Sequence, residues 1–320
     1  MPSVGGEGPT KRELVDANCW FAVDRVGRDP ATTAWKQSAR LRQARWRERH
    51  ADWKVGAHPY RGGEKASVVG SRLELAFAMN SGANFITPGA LAAARHRVAT
   101  PQKHQMLNVE RLYADLLSSM PLCFNLFGDL SQDRAAARAN LQAWWPELPH
   151  GEVHVGFEYS PGRLDPAYLG NRSAFDGYFE VTAESGARSI VGVETKYHEH
   201  AAVEPAPSER ALGRYVEVTE RSRAFLPDWQ TRIVGTDLQQ IWLDHLLLLS
   251  MLQHPAQAHA HGLFVLVYPA GNASFASAAQ RYREALADPT TFQARTLEEL
   301  VETPGGLPPE TRDAFRARYL

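Results

Sequence analysis

The sequence predicts an α/β fold: a core of one helix, a three-strand meander, a second helix and a final strand, behind a mainly helical N-terminal extension. Three observations carry this. Apolar and polar residues alternate through 151 to 161, the mark of a half-buried strand, and two further strand-like runs follow at 174 to 181 and 190 to 197. The stretch 236 to 253 is apolar over a length that suits a mostly buried helix. The run HGLFVLVYP (261 to 269) is continuously apolar, as a strand covered on both faces is.

In chain order, residues 1 to 12 are rich in Gly and Pro and predict a disordered tail. The extension, 13 to 105, contains a helix over WKQSARLRQARWRERHADWK (35 to 54), a turn at HPYRGGEK (58 to 65) and a helix within 68 to 87 that carries Leu73, Leu75 and Phe77 and ends near Gly82. A polar linker with Pro88 and Pro101 follows. The core, 106 to 290, opens with a helix over 106 to 120, where Leu107, Leu112, Leu116 and Leu117 keep helical spacing and Asn108 is placed to cap. Gly186 marks a hairpin loop between the second and third strands. Thr236, with Gln239 three residues on, has the form of a capping box for the long helix. An amphipathic helix (274 to 287) covers the sheet, and a helical C-terminal segment occupies 291 to 320, broken at PGGLPPE. No internal repeat is present.

Composition bounds the function. A chain of 320 residues with 44% hydrophobic and 22% charged residues is an ordinary globular protein with a substantial core. Two cysteines, Cys19 and Cys123, are too few for a disulfide framework or a zinc site, and a reducing compartment is expected. The start lacks an apolar leader, and LLLLSML (246 to 252) is far short of the roughly 20 residues that span a bilayer, so the expectation is a cytoplasmic protein with no membrane partner. The net charge is −1, yet Trp35 to Lys65 holds nine Lys or Arg against three Asp or Glu. Arg42, Arg45, Trp46 and Arg49 on that basic helix are candidates to track phosphates and stack bases. The plainer alternative is that Trp35, Ala39 and Trp46 anchor the helix while its arginines face water.

The chemistry concentrates in Glu194-Thr195-Lys196 and in Asp176 on the preceding strand. Side chains alternate along a strand, so Glu194 and Lys196 share a face, and the hairpin brings Asp176 beside Glu194. Two hard carboxylates on neighbouring strands suit Mg²⁺ or Mn²⁺. A nearby ammonium can orient water or stabilise a phosphoryl transition state. His198 lies two residues beyond Lys196 and touches the site if the strand persists; otherwise it is a solvated strand end. Glu158 on the first strand reads as a rim ion pair. His245, His254, His259 and His261 have no carboxylate at a zinc-ligand spacing, which argues against a zinc hydrolase.

An acid on one strand followed by Glu-x-Lys on the next, with the elements above in this order, resembles the PD-(D/E)XK nuclease superfamily, the restriction-endonuclease-like fold. Phe175 stands where the motif's proline would be. The likeness covers 106 to 270 and, with FNLFGDL (124 to 130), looks like a bacterial branch rather than a well-known restriction enzyme. It implies a metal-dependent nuclease in which Asp176, Glu194 and the Thr195 carbonyl hold Mg²⁺, with Mn²⁺ able to substitute, while Lys196 positions or deprotonates water. It further implies a first-helix acid, for which Glu110 competes with a surface role beside Arg111, and a helix amide, for which Gln240 competes with Gln239. DNA is the expected partner, and nucleases of this fold that make double-strand breaks often act as homodimers. Three alternatives stay open: an idle nuclease-fold module that binds nucleic acid or protein, a nuclease for RNA or branched DNA, and an accidental motif in which Glu194 and Lys196 are a plain ion pair.

Overall fold

A computed structural model describes residues 8–20, 34–58, 67–256 and 258–320. Residues 1–7 of the predicted tail and 59–65 of the predicted turn lie outside them. Helix α1 (Lys11–Asp16) starts within the stretch expected to be disordered, because Thr10 and Glu13 form a complete capping box there. The basic helix is α2 (Ala34–Glu48). The extension is less helical than its sequence suggests: Val55–His58 (β1) and Ser67–Leu73 (β2) pair antiparallel, which puts Leu73 in a strand. Helix α3 (Leu75–Ser81) ends at Gly82 as expected. The supposed linker is a helix, α4 (Pro88–Ala99), since Pro88 occupies its first turn, where proline has no donor to lose, and the Thr87 hydroxyl accepts from the Ala90 N–H.

The predicted leading helix is two helices, α5 (Val109–Ala114) and α6 (Ser119–Gln132). Apolar spacing runs unbroken across the break, but Asp115 pairs with Arg72 of β2 and the Leu116 N–H donates to the Ser71 carbonyl. The chain thus leaves one helix, bridges a strand, and restarts at Ser118, whose hydroxyl accepts from the Met120 N–H. Helix α7 (Arg134–Trp144) then leads to the sheet.

Strands β3 (Gly151–Tyr159), β4 (Phe175–Ala183) and β5 (Arg188–Thr195) form the antiparallel meander. Gly186 turns the β4–β5 hairpin at φ 83°, a conformation that side-chain-bearing residues avoid. Helices α8 (Glu209–Ser222), α9 (Trp229–Ile233) and α10 (Gln239–Leu252) carry the chain across to β6 (His261–Tyr268), which lies parallel to β5. The capping of α10 differs from the expected box: the Thr236 hydroxyl accepts from Leu238, while Gln239 reaches back to the Gly235 N–H and donates to the Pro205 carbonyl. Helix α11 (Ala273–Arg283) is followed by a short strand not expected from the sequence, β7 (Phe292–Thr296), parallel to β6, then by α12 (Leu297–Glu302) and α13 (Pro309–Tyr319). The sheet order is β3-β4-β5-β6-β7, so β5 is central.

Alternation along the strands builds a core on each side of this sheet. Val153, Val155, Phe179, Val191, Val193 and Val265 pack under α6 through Leu122, Phe124 and Phe127. Phe175, Ile190, Phe264 and Leu266 face α10 and α11 through Trp242, Leu246 and Phe275. Each fully buried large side chain of this kind contributes about 1.5–3 kcal/mol relative to exposure.

The second core includes a buried histidine. His245 of α10 lies within hydrogen-bond distance of the Tyr282 and Thr291 hydroxyls, and burial pushes its imidazole down to about 3. An unfolded histidine takes up its proton near pH ~6.5, whereas this one resists until far lower pH. Stability is therefore full above that value and declines as pH falls through the window between the two, by about 1.4 kcal/mol per unit. Between pH 7 and 5 the expected loss from this residue is about 2 kcal/mol. Urea denaturation of wild type and His245→Gln at both pH values checks it: the variant should lose correspondingly less.

Candidate active site

The site begins with register. Gly177 pairs with Val193, so Asp176 and Glu194 stand one residue past that pair on adjacent strands. Asp176, Tyr178 and Glu180 are the partly exposed residues of β4 between the inward-facing Phe175, Gly177, Phe179 and Val181. Asp176 reaches over the end of β5, where its Oδ2 accepts from the Thr195 N–H at 2.8 Å and from the Thr195 hydroxyl at 2.7 Å. Strand β5 stops at Thr195, but Lys196 continues the pairing through its N–H to the Val267 carbonyl. The Lys196 Nζ donates to Glu194 Oε1 at 2.6 Å, a charge-assisted contact between two buried side chains.

A third carboxylate joins them from α10. Asp244 is buried, its Oδ2 has no hydrogen-bond partner among the described residues, and it interacts electrostatically with Lys196, Asp176 and Glu194. It stands four residues, about one turn, beyond Gln240, and is the lone acid in the apolar stretch IWLDHLLLL. That isolation was the available signal, because an acid within a buried helix needs a partner. A fourth acid, Glu158, occupies the end of β3 at φ 52°, a backbone region costly for a residue with a Cβ. The expected ion pair is present, to Arg163 at 3.8 Å, but the residue is 8% exposed rather than at the rim, and it lies close enough to Asp176 to feel its charge.

Electrostatics follow from this crowding. Burial raises the Asp176 carboxyl, and Lys196 with the Thr195 donors pulls it partly back. Glu194 is pushed well above the usual range by burial and then by Asp176, against the pull of Lys196. Asp244 is raised to about 7, chiefly by burial, and Glu158 to about 7 by burial and Asp176. For Lys196 burial acts downward, but Glu194 and Asp244 outweigh it and hold the ammonium protonated. Three carboxylates thus face one ammonium, and they cannot all ionise cheaply without more positive charge.

Other predicted residues fall elsewhere. Glu110 pairs with Arg72 of β2 at 2.6 Å. Gln240 is half-buried on the first turn of α10, while Gln239 is occupied in capping. His198 lies past the strand end, so it does not continue the Glu194 face; its Nδ1 is 3.0 Å from the Leu117 carbonyl, and burial lowers its pKa. Trp46 is turned inward: the Arg318 guanidinium sits 4.4 Å from its ring centre, and His50 and Trp53 meet it edge-on. Its faces serve protein packing, which is a correction to the base-stacking expectation. Arg42 donates to the Tyr319 carbonyl and Arg45 pairs with Glu48, while Arg49 is exposed.

Helix α2 has a different connection to the site. Trp35 Nε1 donates to the Tyr197 carbonyl at 3.4 Å, and Gln43 Nε2 donates to the Tyr197 hydroxyl at 2.9 Å. Asn272 donates to the carbonyls of Tyr197 and Glu199. The segment after Lys196 is thereby fixed from two sides.

The oxygens gathered here are of the chemical kind that a hard divalent cation takes. Asp176 and Glu194 present oxygens on adjacent strands, the neighbouring charge is negative in excess, and the buried Asp244 Oδ2 has no hydrogen-bond partner among the described residues. No cluster of three or more His, Cys, Asp or Glu residues arranged to hold a metal occurs among the described residues. A small mixed sheet with paired acids and a lysine on its central strand defines a restriction-endonuclease-like protein. The chain belongs to the PD-(D/E)XK nuclease superfamily, whose family model matches residues 29–320. Neither a search of curated proteins nor one of solved structures finds a match. Membership points to a nuclease hydrolase acting on nucleic acid, in a family that generally uses divalent metals. No helix among the described residues is long and apolar enough to cross a membrane.

Proposed function

We propose that the protein is a Mg²⁺-dependent nuclease that hydrolyses phosphodiester bonds in DNA, with Mn²⁺ able to replace Mg²⁺. The observation that carries this reading is the juxtaposition of Asp176 and Glu194 across the β4–β5 ladder, with Lys196 bonded to Glu194. Asp176, Glu194 and the Thr195 carbonyl would hold the ion. When bound, the ion would polarise the phosphoryl group and acidify a water. Thr195 orients Asp176 through two hydrogen bonds to one oxygen, which leaves its other oxygen as the donor. Glu194 likewise gives one oxygen to Lys196. Since Lys196 is held protonated, it acts as a donor that orients water and stabilises charge on the phosphate oxygens, rather than as the base. Asp244 helps keep that ammonium charged and in place.

The burial of Glu194 and Lys196, 8% and 7% exposed, favours a second reading: an idle nuclease-fold module that binds nucleic acid. Calorimetric titration with Mn²⁺ separates the two when paired with a DNA cleavage assay. Wild type should bind Mn²⁺ and cut. Asp176→Asn and Glu194→Gln should each lose at least about 100-fold in Mn²⁺ affinity, since even residues that merely support a metal's ligands are worth about 10–100-fold. Cleavage should vanish with them. Cutting at wild-type rate in either variant overturns the assignment, and wild type that neither binds Mn²⁺ nor cuts points to the idle module.

A further inference from the structure

A cavity of about 630 Å³ lies between α4 and the rim of the sheet at β3 and β4. That volume is within the ~300–1,000 Å³ usual for sites that hold a small ligand or a single residue of a polymer. Tyr159 and Tyr178 contribute to its wall as a stacked pair, with ring centres 4.4 Å apart. Tyr178 lies close along the backbone of Gly156, where any added Cβ would come within 2.4 Å of the ring, and its hydroxyl is 3.1 Å from His154 Nε2. The lining also includes Arg97, Gln102 and Ala92.

Two features connect this cavity to the carboxylate cluster. Tyr178 stands two residues along β4 from Asp176 among the same partly exposed set, and Tyr159 pairs with Phe175, the residue before Asp176. Two residues of strand span about 6.6 Å, a reach comparable with one nucleotide. Two guanidiniums meet one carboxylate at this end: Arg97 donates to the Phe157 and Thr100 carbonyls and to Gln105, and Arg163 donates to Gln102 and the Glu158 carbonyl and forms an ion pair with the Glu158 carboxylate at 3.8 Å. Glu158 is the acid facing them.

We propose that this cavity seats an unpaired nucleobase adjacent to the phosphodiester being cut, so that the substrate carries a single-stranded stretch at the site. The inference rests on the nuclease reading and narrows its substrate class. An aromatic ledge receives the face of any base, Gln102 and His154 offer polar groups to its edge, and the two arginines favour the flanking phosphate. A base held in a duplex is stacked on both faces and cannot enter without being unpaired.

The test is fluorescence anisotropy with a labelled short oligothymidylate and a labelled blunt duplex of equal length, in EDTA so that neither is cut. The variants are Ala92→Trp, which fills the cavity from an exposed position on α4, and Tyr159→Leu, which removes half of the ledge. Wild type should bind the single strand at least about tenfold more tightly than the duplex, and each variant should lose roughly tenfold on the single strand only. Unchanged single-strand affinity in Ala92→Trp, with unchanged thermal unfolding, overturns the proposal and leaves the groove to another class of partner, such as an extended peptide. Equal affinity of wild type for both probes overturns it as well. Because this readout needs no cleavage, a protein that cuts nothing but shows the Ala92→Trp loss retains the seat and loses the nuclease reading. A protein that cuts through Asp176 and ignores Ala92→Trp does the reverse.

Discussion

Lys196→Ala is expected to lower DNA cleavage by on the order of 10³-fold while Mn²⁺ binding persists or tightens. The two outcomes part because the ammonium serves them oppositely. In cleavage it is a donor poised where negative charge develops on the phosphate. In ion binding it competes, since its Nζ holds Glu194 Oε1 at 2.6 Å and its charge partly neutralises Asp176 and Asp244. Deleting it frees a Glu194 oxygen and makes the pocket more negative. Removal also leaves Glu194 buried without its partner, which costs stability unless the carboxyl takes up a proton or a cation. The apo variant should therefore unfold more readily than wild type, and Mn²⁺ should restore more of its stability than it adds to wild type. Single-turnover cleavage, calorimetry and thermal unfolding with and without Mn²⁺ make the three measurements. Loss of ion binding together with cleavage would place Lys196 in the structure of the site and not in its chemistry.

Arg318→Ala should destabilise the fold by about 3–5 kcal/mol, the range for leaving buried polar partners stranded. Arg318 is fully buried on α13, and no carboxylate among the described residues lies at ion-pair distance from it. Its guanidinium instead donates to Gln43 Oε1, to the Asn84 carbonyl and Asn84 Oδ1, and more distantly to the Leu116 carbonyl, while it packs over Trp46 and Tyr319. Alanine would strip donors from three well-placed acceptors at once and open a void beside Trp46. Lysine would not rescue it, because one ammonium cannot reproduce a planar fork aimed at several carbonyls. Urea unfolding of Arg318→Ala and Arg318→Lys checks both statements. The same substitution should reduce activity in protein that is still folded, since Gln43 also holds the Tyr197 hydroxyl next to Lys196.

The strands around the site were legible because both their periods and their loops are simple. Alternation exposed β3, the apolar runs exposed β5 and β6, and Gly186 marked the hairpin that sets Asp176 against Glu194. Where the sequence misled, tertiary pairing had overridden a local pattern. Leu116 and Leu117 keep helical spacing through a segment that bridges to β2, and Pro88 reads as a breaker although it occupies the first turn of a helix. Strand β7 has five residues of mixed polarity and is recruited by β6 rather than by its own periodicity. Trp46 among arginines looks alike whether it faces nucleic acid or a buried guanidinium, and only the arrival of Arg318 from the far end of the sequence decides between them. Asp244 matches no motif spacing, whereas in three dimensions helix α10 delivers it to the neighbourhood of Lys196.

Strand β5 is bonded along both flanks and covered above and below, so its amide hydrogens should trade with deuterium only when the entire molecule opens. Tyr159 rides instead on a strand with a neighbour on one flank, where a small local fluctuation is enough. Glu194 is thereby mounted on the central strand, and Tyr159 of the aromatic ledge on an edge strand. Deuterium uptake at Val191 to Val193 should lag that at Phe157 to Tyr159 by orders of magnitude, and such a lag would let the margin reshape itself around a ligand while the charged cluster keeps its spacing.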